Sequence, residues 1–264
     1  MKKNVLFSLL LLSASFSTKA QMDDNFYQPK KEMKLLAFKN IENINFPVEH
    51  DTITAVILKP ESHTIKKTIV FFHGAAGNIS TYQYITKPLV TDGFQVVMVD
   101  VRGYGKSTGK PTHLNVAEDG QKIFDYLLNR KDIVNTKIYL YGASLGSQIA
   151  THLAKENKAK ISGLILDGGM SSFTDIAIRF KPEMKAIIEK YVVSPYSAKE
   201  DVKSLSGIPK LFIYGRGDST VPFEQGQLIF KNAPEPKAFF EYSGDHLQAM
   251  VIEPVQTLKA IEKL

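Results

Sequence analysis

The chain has 264 residues, carries 33 basic against 27 acidic side chains, and contains no cysteine. Disulfides, a thiol nucleophile and thiolate-bound metal are therefore excluded, and with no long basic run a nucleic-acid partner has no electrostatic footprint. The length suits one large domain with a substantial core better than two small ones.

Residues 1–20 read as a secretory leader. Lys2 and Lys3 form a positive start, residues 5–12 an apolar core, and a small, polar tail ends at Ala20, the expected cleavage point. Lys19 also lies in this segment, so its removal lowers the formal net charge from +6 to +3. No stretch approaches the roughly 18 consecutive apolar residues of a membrane span. The expected mature protein, 21–264, is exported to periplasm or medium with no stable membrane span.

Residues 21–31 are polar and read as a loosely held arm. Strands are predicted at 35–38 and 53–58, the second stopped by Pro60. From Thr68 onward, short apolar runs at 69–72, 95–99, 138–141, 164–166, 211–214 and 238–242 alternate with amphipathic stretches. The stretches predict helices at 80–91, 116–128, 145–155, 173–191 (broken near Pro182), 222–231 and 247–264. This rhythm predicts an α/β fold: a mostly parallel eight-stranded sheet with helices on both faces. Residues 168–208, with Pro182 and Pro195 inside and Pro209 just beyond, are the least regular part and are predicted to hold a small cap or lid.

In such sheets ligands bind beyond the carboxyl ends of the strands, so the residues just after each apolar run carry the chemistry. After the run at 138–141 comes Gly142-Ala143-Ser144-Leu145-Gly146 and then an Ala-bearing helical pattern. Strand, Gly-x-Ser-x-Gly and helix together form the pattern of a nucleophile elbow, a sharp turn that lifts a serine hydroxyl from the end of a sheet strand. The other strand ends carry His73-Gly74-Ala75-Ala76-Gly77-Asn78, Asp100-Val101-Arg102-Gly103-Tyr104-Gly105-Lys106-Ser107, Asp218, and Asp245-His246. In chain order the reactive set is Ser144, Asp218, His246.

These motifs, spread from 69 to 247, resemble the α/β-hydrolase superfamily, whose members show the order serine, acid, histidine. The His-Gly-x-x-Gly-Asn loop and Asp-x-Arg-Gly-Tyr-Gly-x-Ser are similar to those of compact serine hydrolases: esterases, lysophospholipase-like and acyl-protein-thioesterase-like enzymes, and serine aminopeptidase-like sequences. The resemblance implies an oxyanion hole made by the backbone N–H groups of Leu145 and Ala75, with Ala76 as the neighbouring alternative. It also implies a triad in which His246 activates Ser144 and an acid holds the imidazole in its working tautomer.

Asp218 is the first candidate acid and Asp167, ending the run at 164–166, the second. Asp245 reads as a turn residue, His73 as a structural histidine, and Arg102 as the anchor of a loop through a carboxylate. His50, His63, His113 and His152 read as surface or helix-face residues without metal-site spacing, so no metal is expected. Gly103 and Gly105 fail to complete a dinucleotide fingerprint, because Thr108 stands where the third glycine is needed; no cofactor is expected. The expected function is that of an exported serine hydrolase acting on a small-molecule or lipid carboxylic ester or thioester. Phe173, Phe180 and Phe223 are candidates for an apolar acyl site. A peptidase releasing N-terminal residues would need an acid such as Glu183, Glu189 or Glu224 to hold the amine. A binding protein that retains the fold is the alternative outside enzymes.

Overall fold

The computed structural model describes residues 23–61, 65 and 67–264. The predicted leader and His63 lie outside the described residues. Eight strands form the main sheet: β1 (Asn40–Val48), β2 (Asp51–Lys59), β3 (Lys67–Phe72), β4 (Gln95–Asp100), β5 (Lys137–Ala143), β6 (Gly163–Asp167), β7 (Lys210–Gly215) and β8 (Lys237–Tyr242). Their spatial order is β1-β2-β4-β3-β5-β6-β7-β8. β1 and β2 form an antiparallel hairpin, β2 joins β4 antiparallel, and every later pair is parallel.

The helices are α1 (Gln83–Thr91), α2 (His113–Leu128), α3 (Lys131–Val134), α4 (Gly146–Glu156), α5 (Phe173–Phe180), α6 (Lys185–Tyr191), α7 (Ala198–Asp201), α8 (Phe223–Asn232), α9 (Ala249–Ile252) and α10 (Pro254–Glu262). The inner strands are buried on both faces, with alternate side chains going to opposite sides of the sheet. In β3, Val70 and Phe72 join a core with Ile123 and Phe124 of α2 and Ile149 and Leu153 of α4. Ile69 and Phe71 point the other way, into a core with Ile85 and Leu89 of α1 and Ile261 of α10. Each such fully buried side chain contributes about 1.5–3 kcal/mol, so this double core holds the strand ends rigidly in place.

The expected strand at 35–38 does not form: that stretch has no regular structure and Leu35 is exposed. The edge strand is instead β1, where Ile44, Phe46 and Val48 alternate with Asn45 and Pro47. Alternation outweighs a continuous apolar run at a half-solvated sheet edge, and an edge tolerates Pro47. The predicted helix at 173–191 is split into α5 and α6 by a 3-10 turn over Pro182–Met184, and Pro254 likewise separates α9 from α10.

The arm is held more firmly than its polarity suggests. Gln28 and Lys30 donate backbone hydrogen bonds to Ala75 O and Gly77 O at 2.9 and 3.0 Å, forming a two-residue parallel ladder with Ala76–Gly77. The Tyr27 hydroxyl meets His113 Nδ1 at 2.9 Å. Asn78 Nδ2 ties the carbonyls of Lys30 and Glu32, each at 2.9 Å.

Candidate active site

Ser144 lies between β5 and α4 with φ of 51°, a left-handed value that costs a non-glycine residue about 1–3 kcal/mol. The strain is locked in by close packing of the turn. A Cβ on Gly142 would stand 2.5 Å from Ser147 Cα, and one on Gly146 would overlap the Phe72 carbonyl and lie 2.7 Å from His73 O. The elbow's glycines are thus required for space: they let α4 start directly against the end of β3. Ser144 N–H donates to Asp167 O at 2.8 Å, which fixes the turn to β6.

His246 follows β8. Its Nδ1 donates to Asp218 Oδ2 at 2.7 Å, and Asp218 is buried, with Oδ1 accepting from the N–H groups of Thr220 and Val221 at 2.9 and 2.7 Å. The carboxylate is therefore aimed by two amides on one oxygen while the other holds the imidazole. Asp167 makes no hydrogen bond to His246. Its Oδ2 accepts from the Tyr141 hydroxyl at 2.7 Å, its Oδ1 has no partner among the described residues, and burial pushes its carboxyl up to about 6. Asp245 holds its turn, accepting from Ser219 N and His246 N.

The imidazole is near the elbow. A Cβ on Gly168, the residue after Asp167, would lie 3.0 Å from His246 Cε1, and Asp167 O is the acceptor for Ser144 N. No hydrogen bond joins the Ser144 hydroxyl to His246 among the described residues; such bonds are commonly long before substrate is bound.

The loop after β3 passes directly over Ser144, since a Cβ on Gly74 would stand 3.1 Å from Ser144 Cβ. Buried His73 donates through Nδ1 to Gly74 O at 2.7 Å, and burial pushes its imidazole down to about 4, so it is neutral and braces the loop. Ala75 O accepts from Gln28 N at 2.9 Å and from the Tyr104 hydroxyl at 2.6 Å. Ala75 N and Leu145 N donate to no protein group among the described residues.

Asp100 ends β4 and is fully buried. It accepts from Ile79 N at 2.8 Å, and burial raises it to about 7. Arg102 forms a two-pronged pair with buried Asp119 at 2.6 and 3.0 Å and reaches Glu49 and Asp51, anchoring the next loop as expected.

A cavity of about 580 Å³ opens over Ser144, Leu145 and Ala75. Its walls come from the arm (Asn25, Phe26, Gln28), from α5 and α6 with their junction, and from Thr220 and Val221. No carboxylate lines it among the described residues; the one charged side chain is Lys181. Of the expected acyl-site aromatics Phe180 lines the cavity. Phe173 does not: it is buried and stacked on His113 at 3.5 Å between ring centres. Phe223 packs edge-on against Phe239.

Sequence reasoning missed the arm's part in this wall. The aromatic pair Phe26-Tyr27 within a polar stretch was its signal. His113, expected to be a surface or helix-face residue, opens α2 but is buried between the arm and Phe173, and burial pushes it down to about 3. No cluster of His, Asp or Glu able to hold a metal occurs among the described residues.

A family profile described as "Serine aminopeptidase, S33" matches residues 63–206, more than half of the chain. The chain belongs to this family. It is an α/β-hydrolase. Protein bem46 of Schizosaccharomyces pombe is 31% identical over 176 residues, 66% of this chain and 59% of that protein. Protein YfhR of Escherichia coli is 30% identical over 184 residues, 69% of this chain and 63% of its own length. The chain thus spans less than two thirds of these two relatives. Among solved structures, the Pyrococcus furiosus esterase Pf2001 superposes with a TM-score of 0.71 at 17% identity, covering 90% of this chain and 96% of that one. Est1E from Butyrivibrio proteoclasticus, solved with ferulic acid, gives 0.70 at 19% identity over 83% and 97%. At these identities the structures establish the hydrolase fold.

Proposed function

We propose that this hydrolase cleaves a carboxylic ester or thioester with an apolar acyl group, through an acyl-enzyme on Ser144. His246 takes the proton of the Ser144 hydroxyl as Oγ bonds to the carbonyl carbon. The resulting oxyanion is held by the N–H groups of Ala75 and Leu145, next to the positive end of the α4 dipole. The intermediate collapses, and the leaving oxygen or sulfur departs with the proton from His246. Water then attacks the acyl-enzyme, giving up its proton to His246, and the free acid leaves as Ser144 is re-protonated. Asp218 keeps the imidazole oriented and stabilises its cationic form.

The observation that carries this reading is the cavity itself: largely apolar walls standing directly over Ser144 and two undonated backbone N–H groups. Its volume is typical of small-molecule sites, about 300–1,000 Å³. An aminopeptidase is less well supported, because a substrate α-ammonium needs a carboxylate. Glu183, Glu189 and Glu224 are all exposed and none lines the cavity, whereas Lys181 does.

The test is a p-nitrophenyl ester series from acetate to palmitate, run beside Ser144→Ala. Each methylene entering the cavity adds about 0.8 kcal/mol, so kcat/KM should climb about fourfold per CH2 until the cavity is full. Ser144→Ala should abolish both turnover and labelling by a fluorophosphonate probe. No turnover of any ester, and no labelling of the native chain, would refute the proposal in favour of a binding protein.

A further inference from the structure

We propose that the outer face of the segment carrying α5 and α6 docks on an anionic lipid bilayer, which feeds acyl chains into the cavity over Ser144. The feeding step rests on the hydrolase reading above; the docking does not. From Arg179 to Tyr191 every residue except Ile188 is exposed, so this segment stands off the domain. Its outward side chains are nevertheless apolar: Phe180 is 58% exposed, Ile187 51%, Tyr191 52% and Val193 50%. Met184, Ile187 and Tyr191 fall at i, i+3 and i+7, the spacing of one helix face. Ile188, at i+4 on the same face, is buried and lines the cavity together with Met184, so this face runs from the cavity wall out to the exposed Ile187 and Tyr191.

Cations surround these residues. Arg179, Lys181, Lys185 and Lys190 outnumber Glu183 and Glu189, and Glu189 is already paired with Lys185 at 3.2 Å. Arg179, Lys181 and Lys190 have no ion pair among the described residues, and Lys190 Nζ sits 5.2 Å from the Tyr191 ring centre. Apolar side chains fringed by unpaired cations are what an amphipathic segment needs to lie in the interface of an anionic membrane, with the long cationic side chains reaching the headgroups. No helix among the described residues is long and apolar enough to cross a membrane.

The cavity decides between a bilayer and a protein partner. Phe180 and Met184 are exposed and also line it, so the patch and the cavity mouth are continuous. A protein seated here would close the mouth; a bilayer would cover the same apolar surface and supply the substrate.

The experiment measures co-sedimentation of the mature Ser144→Ala protein with vesicles of phosphatidylglycerol mixed with phosphatidylcholine, and with vesicles of phosphatidylcholine alone. Binding is read without turnover, so its failure is distinguishable from failure of the hydrolase reading. The expected result is binding to the anionic vesicles, weakened at least about fivefold at high salt. The paired substitution Ile187→Ser and Tyr191→Ser, neither residue lining the cavity, should lower binding at least about tenfold. In the Ser144 background the same pair should leave turnover of a soluble short ester within about twofold of the native rate and slow turnover of a long-chain ester presented in vesicles. Absence of vesicle binding, binding indifferent to the paired substitution, or self-association abolished by that substitution would overturn the proposal. The last result would assign this face to a second copy of the chain.

Discussion

Two buried carboxyls compete for the role of triad acid, and their surroundings predict opposite outcomes for the same chemical change. In Asp218→Asn, the side-chain oxygen can keep the Thr220 and Val221 amides, which leaves the NH2 group facing His246 Nδ1 across the present 2.7 Å. Two donors cannot share that contact, so Nδ1 must become the acceptor and the ring proton moves to Nε2, where a base is needed to receive the Ser144 proton. The wrong tautomer costs on the order of 10⁴-fold in kcat in triads of this geometry, or about 5.4 kcal/mol of barrier. In Asp167→Asn, the oxygen can still accept from the Tyr141 hydroxyl, and the second position is one that now has no partner. A carboxyl pushed up to about 6 is already partly neutral near that pH, so the neutral amide should cost less than about tenfold. The assay is kcat on p-nitrophenyl butyrate at pH 7, with thermal melting of each variant to confirm that it is folded. A loss in Asp167→Asn equal to or larger than that in Asp218→Asn would refute the assignment.

Four other outcomes follow from packing and charge. Gly146→Ala forces α4 away from the Phe72 and His73 carbonyls, and a displacement of about 1 Å at the nucleophile should lower kcat about 100-fold while also depressing the melting temperature. By contrast Gly207→Ala, with open space around it but φ of 79°, should cost only about 1 kcal/mol and leave kcat unchanged. Tyr104→Phe removes the 2.6 Å hydrogen bond to Ala75 O and should reduce kcat three- to tenfold, about 1 kcal/mol, with KM unchanged; an unaltered kcat would show that the loop needs no such brace. The raised carboxyl of Asp167 means that the folded state holds its proton more tightly than the unfolded chain does. Its contribution to stability is full below pH 3.8 and is lost as the pH rises through about 6, a change of about 3 kcal/mol. Melting curves from pH 4 to 7 should therefore fall less steeply for Asp167→Asn than for the native chain.

The sheet, and the positions of the candidate site residues at its strand ends, were legible because each buried strand is a short apolar run that stops where its side chains would meet solvent or substrate. Ser144, Asp218 and His246 stand at three such stops, and the structure brings the latter two to 2.7 Å. The hairpin edge was harder. At 35–38 the run Leu-Leu-Ala-Phe has the composition of a strand, but among the described residues no strand pairs with it; Leu36 and Phe38 only rest on the core and Leu35 stays exposed. At β1 half the residues are polar, yet alternate positions reach the core. Composition registers the first pattern and burial rewards the second. The burial of His113 was hidden for a similar reason: it depends on Tyr27 and Phe173, 86 and 60 positions away, and no local pattern encodes that meeting.

The same distinction explains why substrate chemistry is harder to read than mechanism. The proposed reacting groups and their backbone donors come from the ends of β3, β5, β7 and β8, where sheet geometry fixes their separations. The walls that would meet an acyl chain come from the arm, from the α5–α6 segment and from the turn at Thr220–Val221, none of them in the sheet. A change such as Phe26→Ala or Met184→Ala should therefore alter substrate preference without moving Ser144. The family's peptidase description and the lack of a carboxylate in this cavity among the described residues are compatible on the same grounds, since in the proposed reading the sheet carries the hydrolytic groups and the segments outside it face the substrate.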